Sequence, residues 1–231
     1  MSKFSKGYLY LFFIIFTPIF FLALGASLLF NMTFLYTASF DKYNVSDATQ
    51  LSEQELKKVA SEIQKYFNNG QEYLVITVAD LSGDIFVLFD EREQEHMKDV
   101  KEIVHLAYGT SVLLLATFVI LLFIVYKKKL KEAHAWLIWG GLGTAAAVAL
   151  CVLLAIADFD SFFNFLHSLF FSEKNSWVFA PDYYLVALFP PDFWIDIGIL
   201  IGGLIFTGAL IMIFIGFWRS GLIYRKIKTY K

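Results

Sequence analysis

Four stretches of this chain, residues 8–30, 106–126, 135–157 and 195–218, are apolar for long enough to cross about 30 Å of hydrocarbon at about 1.5 Å per helical residue. Inside a bilayer every backbone N–H and C=O must be bonded within its own segment, so runs of this length become spanning helices. Composition points the same way. With 58% hydrophobic and 17% charged residues and a mean hydropathy of +0.61, 231 residues cannot hide their apolar surface in a soluble core. Disorder, a secreted disulfide scaffold and a soluble enzyme are excluded together, and Cys151, the one cysteine, has no intrachain partner. A net charge of −2 gives no positive excess for a nucleic-acid partner.

Charge selects the orientation. The N-terminal tail, the turn between the second and third runs and the C-terminal tail carry eleven basic residues: Lys3, Lys6, Lys127, Lys128, Lys129, Lys131, Arg219, Arg225, Lys226, Lys228 and Lys231. Against them stands one acid, Glu132, whereas the rest of the chain holds eight basic and twenty acidic residues. The positive-inside rule then puts both termini in the cytoplasm and the two large loops, 31–105 and 158–194, outside. Lys3, Lys6 and the small residues of Ala23-Leu24-Gly25 imitate a secretory signal, but the apolar run continues to Leu35 and Pro18 sits where a span tolerates a kink. It is read as a span, and with no cysteine nearby the chain is not itself a lipoprotein. The expected fold class is a membrane, mainly α protein: one integral membrane domain over 1–231, four transmembrane helices, a small α+β extracytoplasmic cap at 31–105 and an aromatic extracytoplasmic interfacial loop at 158–194.

Within the cap, Ser52 and Glu55 form a capping box and Leu51 with Leu56 a hydrophobic staple, which predicts a helix continuing through Val59, Ala60, Ile63, Tyr66 and Phe67 to a stop at Asn69-Gly70. Two strands are expected at 73–79 and 84–89, joined across Leu81-Ser82-Gly83. The second loop is crowded with Phe, Tyr and Trp, which suits the headgroup level of a bilayer. Pro181, Pro190 and Pro191 break it into interfacial half-helices rather than a fifth span.

Chemistry has few candidates. His134 lies in the cytoplasmic turn and reads as an interface residue, and His105 opens the second span and can snorkel. His96 and His167 occupy one outward loop each. A helical reading of 90–101 places Arg92, His96 and Asp99 on one stripe, so that Asp99 can hold the imidazole tautomer and favours His96 as a base. The bland alternative is a solvated charged run. Lys98 and Lys101 lie on the outer side close to a span, against the positive-inside bias, which hints at an anionic or ester-oxygen partner. His167 stands among apolar residues that favour its neutral form. Ser168 beside it suggests a Ser/His pair, yet neighbours on a helix point apart and no G-x-S-x-G occurs. A metal site from His96, His167, Asp99 and a glutamate lacks ligand spacing, and glycine-rich phosphate loops are absent, which argues against a nucleotide.

The segment Arg92-Glu93-Gln94-Glu95-His96-Met97-Lys98-Asp99-Val100-Lys101 resembles the first motif of the bacterial lipoprotein intramolecular transacylases, with Asp90 where an Asn is expected. Phe165-Leu166-His167-Ser168-Leu169-Phe170-Phe171, through Ser176-Trp177-Val178-Phe179 to Phe189-Pro190, resembles the second. The resemblance implies acyl transfer at the outer face of a bacterial cytoplasmic membrane. The sn-2 ester of an S-diacylglyceryl cysteine would donate its chain to the α-amino group of the same cysteine, giving a lyso-form lipoprotein. It implies His96 and His167 as the catalytic pair, facing one another, with Arg92, Asp99, Lys101 and Trp177 orienting them or binding substrate. Partners would be diacylated bacterial lipoproteins and membrane lipid, with no cofactor or metal. Elementary chemistry agrees: an amine of pKa about 7.7 to 8.0 must lose a proton as it attacks, and an imidazole of pKa about 6.5 can take it, so the rate should fall below about pH 6.5. Two rival readings are a metal or Ser/His membrane lipid hydrolase and a non-catalytic membrane adaptor. A straight helix over 92–104 would put His96 about 10 to 15 Å beyond the hydrocarbon edge, so either the segment bends or the substrate is lifted.

Overall fold

Each of the four apolar runs lies in a helix long and apolar enough to cross a membrane. The computed structural model describes residues 3–128, 133–171 and 176–221. Its elements, in order, are α1 (Lys3–Leu29), α2 (Thr33–Lys42), α3 (Val45–Thr49), α4 (Glu53–Tyr66), β1 (Thr77–Ala79), β2 (Ile85–Val87), α5 (Glu91–Lys128), α6 (Ala133–Ala157), α7 (Phe159–Phe170), α8 (Tyr184–Leu188) and α9 (Pro191–Arg219). Of the basic residues behind the orientation argument, Lys129, Lys131, Arg225, Lys226, Lys228 and Lys231 fall outside the described residues.

Two helices are longer than their apolar runs. α5 takes in the whole charged segment from Glu91 as one continuous helix of 38 residues. The stretch 103–126 within it carries no Lys, Arg, Asp or Glu and is long enough to cross a bilayer, while His96 lies ahead of it among charged residues. α9 starts at Pro191, where the missing N–H costs nothing because the first turn of a helix has no intrahelical partner for it. It encloses Asp196, a charge one residue into the fourth apolar run, and Lys42 Nζ and Tyr43 Oη both donate to Asp196 Oδ2.

Contacts divide the chain into two units, 1–25 with 108–162 and 200–231, and 26–107 with 163–199. In the first, helices approach through glycine. A Cβ on Gly141 would stand 2.7 Å from the Ala209 carbonyl and 2.6 Å from Ile213, and one on Gly216 would stand 2.8 Å from the His134 carbonyl. Pro18 leaves the Ile14 carbonyl without its N–H donor, and Gly143 packs directly on that turn, 3.2 Å from a Cβ position to Ile14 O. Phe13 stacks on Trp136 at 5.8 Å and meets Phe118 at 5.6 Å, which fills the space around the buried Val125. The remaining helix surface is apolar and exposed, as lipid-facing helices require.

The second unit is built around α4. Ser52 Oγ accepts from the Glu55 N–H at 3.3 Å, so the expected cap forms, and Leu56, Val59, Ala60, Ile63 and Tyr66 make one buried face. The strands are shorter than expected, pairing antiparallel only over Thr77↔Val87 to Ala79↔Ile85, with further bonds from Leu88 N–H to Ile76 O and from Asp80 N–H to Asp84 O. Asp80 Oδ1 takes the N–H groups of Ser82 and Asp84, and Gly83 supplies the positive φ of 92° that closes the hairpin. The second loop forms two short helices, α7 and α8.

Helix approach through Gly141 has a direct consequence. Gly141→Ala drives a methyl into backbone and should destabilise the fold by about 1–3 kcal/mol, whereas Gly203→Ala, with no atom within 4 Å, should be close to neutral. Thermal unfolding of the two variants in detergent checks this.

Candidate active site

Both histidines singled out from the sequence lie in the second unit, and both pack on the same ring. The Phe171 centroid is 5.0 Å from that of His96 and 5.6 Å from that of His167. His96 projects from the second turn of α5 and also meets Phe179 at 5.4 Å. His167 projects from α7, flanked by Phe163 at 4.0 Å and Trp177 at 5.8 Å. Trp177 is itself held by an Nε1–H bond to Asn164 Oδ1 at 3.1 Å. On α7, Asp160, Asn164 and His167 share one stripe, while Phe165, Leu169 and Phe170 stand exposed on another face. That apolar face suits a helix lying at a membrane interface.

The two imidazoles are chemically distinct. His167 Nδ1 lies 2.8 Å from the Phe163 carbonyl, and because a carbonyl only accepts, Nδ1 carries the hydrogen. In the neutral ring Nε2 therefore holds the free lone pair. His96 Nδ1 is buried and has no hydrogen-bond partner among the described residues. Burial lowers the His96 pKa to about 4, with the nearby His167 and Arg92 acting in the same direction. Burial also lowers that of His167, opposed by its bond to Phe163. Both shifts favour the neutral ring.

Arg92 joins this cluster: its guanidinium covers Phe179 at 4.7 Å and Tyr183 at 5.7 Å, and Nη2 donates to the Val178 carbonyl at 2.7 Å. The other two expected partners do not join it. Asp99 is exposed, and His96 Nδ1 has no partner among the described residues, so the tautomer-holding contact expected on the helical stripe is not formed at that nitrogen. Lys101 turns to the cap instead, donating to Gln71 O at 2.7 Å and Asn69 Oδ1 at 3.2 Å and lying 4.1 Å over the Tyr66 ring. Lys98 is engaged by Glu72 at 2.6 Å. The two lysines that read as an anion-binding hint thus have partners within the cap. Ser168 Oγ donates to Phe165 O at 2.7 Å, which leaves no Ser/His pair. Among the described residues no three His, Cys, Asp or Glu side chains are grouped to hold a metal. His105 Nε2 bonds the Phe67 carbonyl at 2.9 Å.

Sequence reasoning passed over Glu93. Asp90 Oδ1 accepts the Glu93 N–H at 2.8 Å and Glu93 Oε2 accepts the Asp90 N–H at 2.9 Å, a capping box that starts α5. Its other oxygen accepts the Leu185 N–H at 2.8 Å, so one buried carboxylate ties the His96 helix to α8. The signal was present as Asp90-x-x-Glu93. Asp in place of Asn costs nothing here, since both cap equally well.

The model of the family lipoprotein intramolecular transacylase Lit matches residues 11–194 of this chain. The chain belongs to the Lit family. That description is of an acyltransferase. The fold is similar to the in meso structure of the membrane integral lipoprotein intramolecular transacylase Lit from Bacillus cereus, with a TM-score of 0.78 and 19% identity over 98% of this chain and 100% of that one. Two forms of the same protein with one histidine replaced are also similar. The arginine form has a TM-score of 0.71 and 18% identity over 99% of this chain and 97% of that one. The alanine form has a TM-score of 0.71 and 19% identity over 99% and 100%. An uncharacterized protein of Aquifex aeolicus (strain VF5) is 23% identical over 128 residues, so the match spans 55% of this Lit chain and 56% of that relative's length.

Two outcomes are expected at this site. With labelled histidine, the His96 imidazole should titrate near pH 4 by NMR, identified by its loss in His96→Gln; a midpoint near 6.5 would mean the ring is hydrated. Because the folded value lies below the unfolded one, protons favour the unfolded chain, and stability should decline as pH falls from about 6.5 towards 4. The expected loss of rate below pH 6.5 is therefore displaced to lower pH as far as this histidine is concerned. Glu93→Ala orphans two N–H groups and should cost about 1–3 kcal/mol for each one left buried, read as a lower unfolding temperature.

Proposed function

We propose that this Lit chain transfers the sn-2 acyl chain of an S-diacylglyceryl cysteine to the α-amino group of that cysteine, yielding a lyso-form lipoprotein. The observation that carries this reading is the pair of partly buried imidazoles packed on Phe171, with His96 Nδ1 left without a partner among the described residues and His167 Nδ1 committed to the Phe163 carbonyl. His167 Nε2 accepts the proton that the attacking amine releases, its tautomer fixed by the Phe163 carbonyl. In the tautomer that carries its hydrogen at Nδ1, His96 donates a hydrogen bond to the ester carbonyl oxygen as its carbon becomes tetrahedral. Collapse breaks the bond to the glycerol oxygen, which receives the proton from His167 as the amide forms. The tautomer supports His167 rather than His96 as the base. Arg92 and Trp177 hold the second loop and the rings in place. Holding amine and ester on one molecule supplies proximity, and an amide is the more stable product, so neither metal nor nucleotide is required.

The positive-inside distribution supports a bacterial cytoplasmic membrane with both termini inside and the histidines at the outer face. Similar structures exist with a single histidine replaced, which accords with a histidine-centred reaction.

His96→Ala and His167→Ala should each lower lyso-form production by about 10²-fold or more, the usual weight of an acid or base, without loss of expression. Mass spectrometry of a diacylated lipopeptide incubated with purified protein and excess chelator reads the product. Free fatty acid as the main product would make the protein a hydrolase, and full activity from the double histidine variant would leave an adaptor. Mixing two isotopically distinct lipopeptides should give no crossed product.

A further inference from the structure

The hairpin of the second unit has one closed edge and one open edge. The bonds between Leu88 and Ile76 and between Asp80 and Asp84 fix which residues bond across it: Val78 pairs with Phe86 in the same way, while the backbone groups of Ile85 and Val87 on β2 point outwards, away from β1. The β1 side is covered. Thr77 O accepts from Lys58 Nζ at 2.7 Å, and Asp80 is bridged to Leu51. On the β2 side, no group among the described residues takes the N–H or C=O of Ile85 or Val87. Their side chains are 75% and 49% exposed and share one face with Val75 and Thr77, whereas Ile76, Val78 and Leu88 on the other face are buried. Proteins guard such an edge with lysine, proline or a bulge, and this one carries two β-branched apolar residues instead.

Position and charge narrow the occupant. Phe86 meets Tyr184 of α8 at 5.6 Å, the neighbouring Tyr183 meets Phe179 at 5.1 Å, and Phe179 meets His96 at 5.4 Å. A chain of ring contacts thus leads from the strand to the imidazole, and a peptide tethered at the histidines covers that path with fewer than about ten extended residues. Asp84 precedes the strand and Asp90 and Glu91 follow it. All three are exposed, and none is in an ion pair among the described residues. The complement of this edge is an extended peptide that offers backbone groups of its own, apolar side chains on one face and basic residues beside the carboxylates. We infer, resting on the acyl-transfer reading above, that the open edge of β2 binds the peptide following the acylated cysteine of the substrate as a third strand.

Full-length protein in detergent is supplied with S-diacylglyceryl cysteine amide or with the same lipid on a lysine-bearing peptide of about ten residues, and the lyso-form is read by mass spectrometry. The peptide form should show a KM about tenfold lower at similar kcat. Methylating its backbone nitrogens one at a time should raise KM several-fold at every second position, because only alternate residues of a strand turn their N–H towards a given neighbour. Val87→Pro removes an outward N–H and should raise the KM of the peptide form towards that of the amide. Equal KM for the two substrates, or a methylation profile without a period of two, overturns the docking, and both comparisons use the wild-type protein. Failure of the acyl-transfer reading looks different: neither substrate yields lyso-form. Hydrogen exchange then decides on the edge, since the peptide form should slow exchange of the Ile85 and Val87 amides about tenfold or more. Amides that the peptide leaves unprotected overturn the proposal. Protection without peptide that grows with protein concentration also overturns it, in favour of a second copy paired at this edge.

Discussion

One buried carboxylate holds the two halves of the candidate site in register. Glu93 closes the capping box with Asp90 and accepts the Leu185 N–H, so the direction in which α5 leaves the cap and the position of α8 are set by the same three charge-assisted bonds. Everything that surrounds His96 follows from this. The ring sits one turn beyond Glu93, and Arg92 next to it draws in the 178–183 stretch through Val178, Phe179 and Tyr183. Gln94 adds a bond from Nε2 to the Phe89 carbonyl at 2.8 Å, fixing the chain just before the helix. Consecutive residues of one helical turn are thus bound to different segments, and the histidine emerges from a turn anchored on several sides.

The membrane-spanning unit solves a different problem. Between spanning helices there is no hydrophobic driving force, since lipid is as apolar as leucine, and close backbone approach has to supply the cohesion. Gly141 against Ala209 and Gly216 against His134 put α6 and α9 in contact at two levels, and Gly143 brings α6 onto the turn of α1 that Pro18 has opened. Here the proline and the glycine belong together, because a bulkier residue at 143 would keep α6 away from the freed carbonyl.

Spans, capping box, hairpin turn and the two histidines were legible because each leaves a local mark: a run of about twenty apolar residues, Ser52-x-x-Glu55, an Asp-rich turn with Gly83, or a rare residue type in a loop. α2 and α3 were not, and the reason is visible in the backbone. The residue before α2, Met32, offers no capping side chain, and α3 lies between Asn44 and Gln50, both left-handed at φ 50° and 56° without being glycine. Those turns are fixed by tertiary contacts that no local pattern announces. The same applies to Asp99 and Lys101. Helical spacing correctly puts Asp99 on the stripe of His96, but the stripe is wide, and whether a carboxylate turns towards an imidazole depends on what else packs there. For Lys101 the deciding partners, Asn69 and Gln71, are some thirty residues away in sequence.

Neutral imidazoles in an aromatic setting suit aminolysis better than hydrolysis. Water competes with the amine for the same ester, and its advantage is concentration. Phe163, Phe171, Trp177 and Phe179 surround both rings with surface that cannot hydrogen-bond to a stray water, so a nucleophile tethered to the ester keeps its proximity advantage while bulk water loses its own. The same surroundings lower both histidine pKa values, which weakens them as bases. That cost is tolerable for the proposed transfer, because an amine is far more nucleophilic than water and needs its proton removed only as the tetrahedral centre forms. A hydrolase at this site would have to activate water itself, and a base whose pKa burial has lowered is poorly matched to that task.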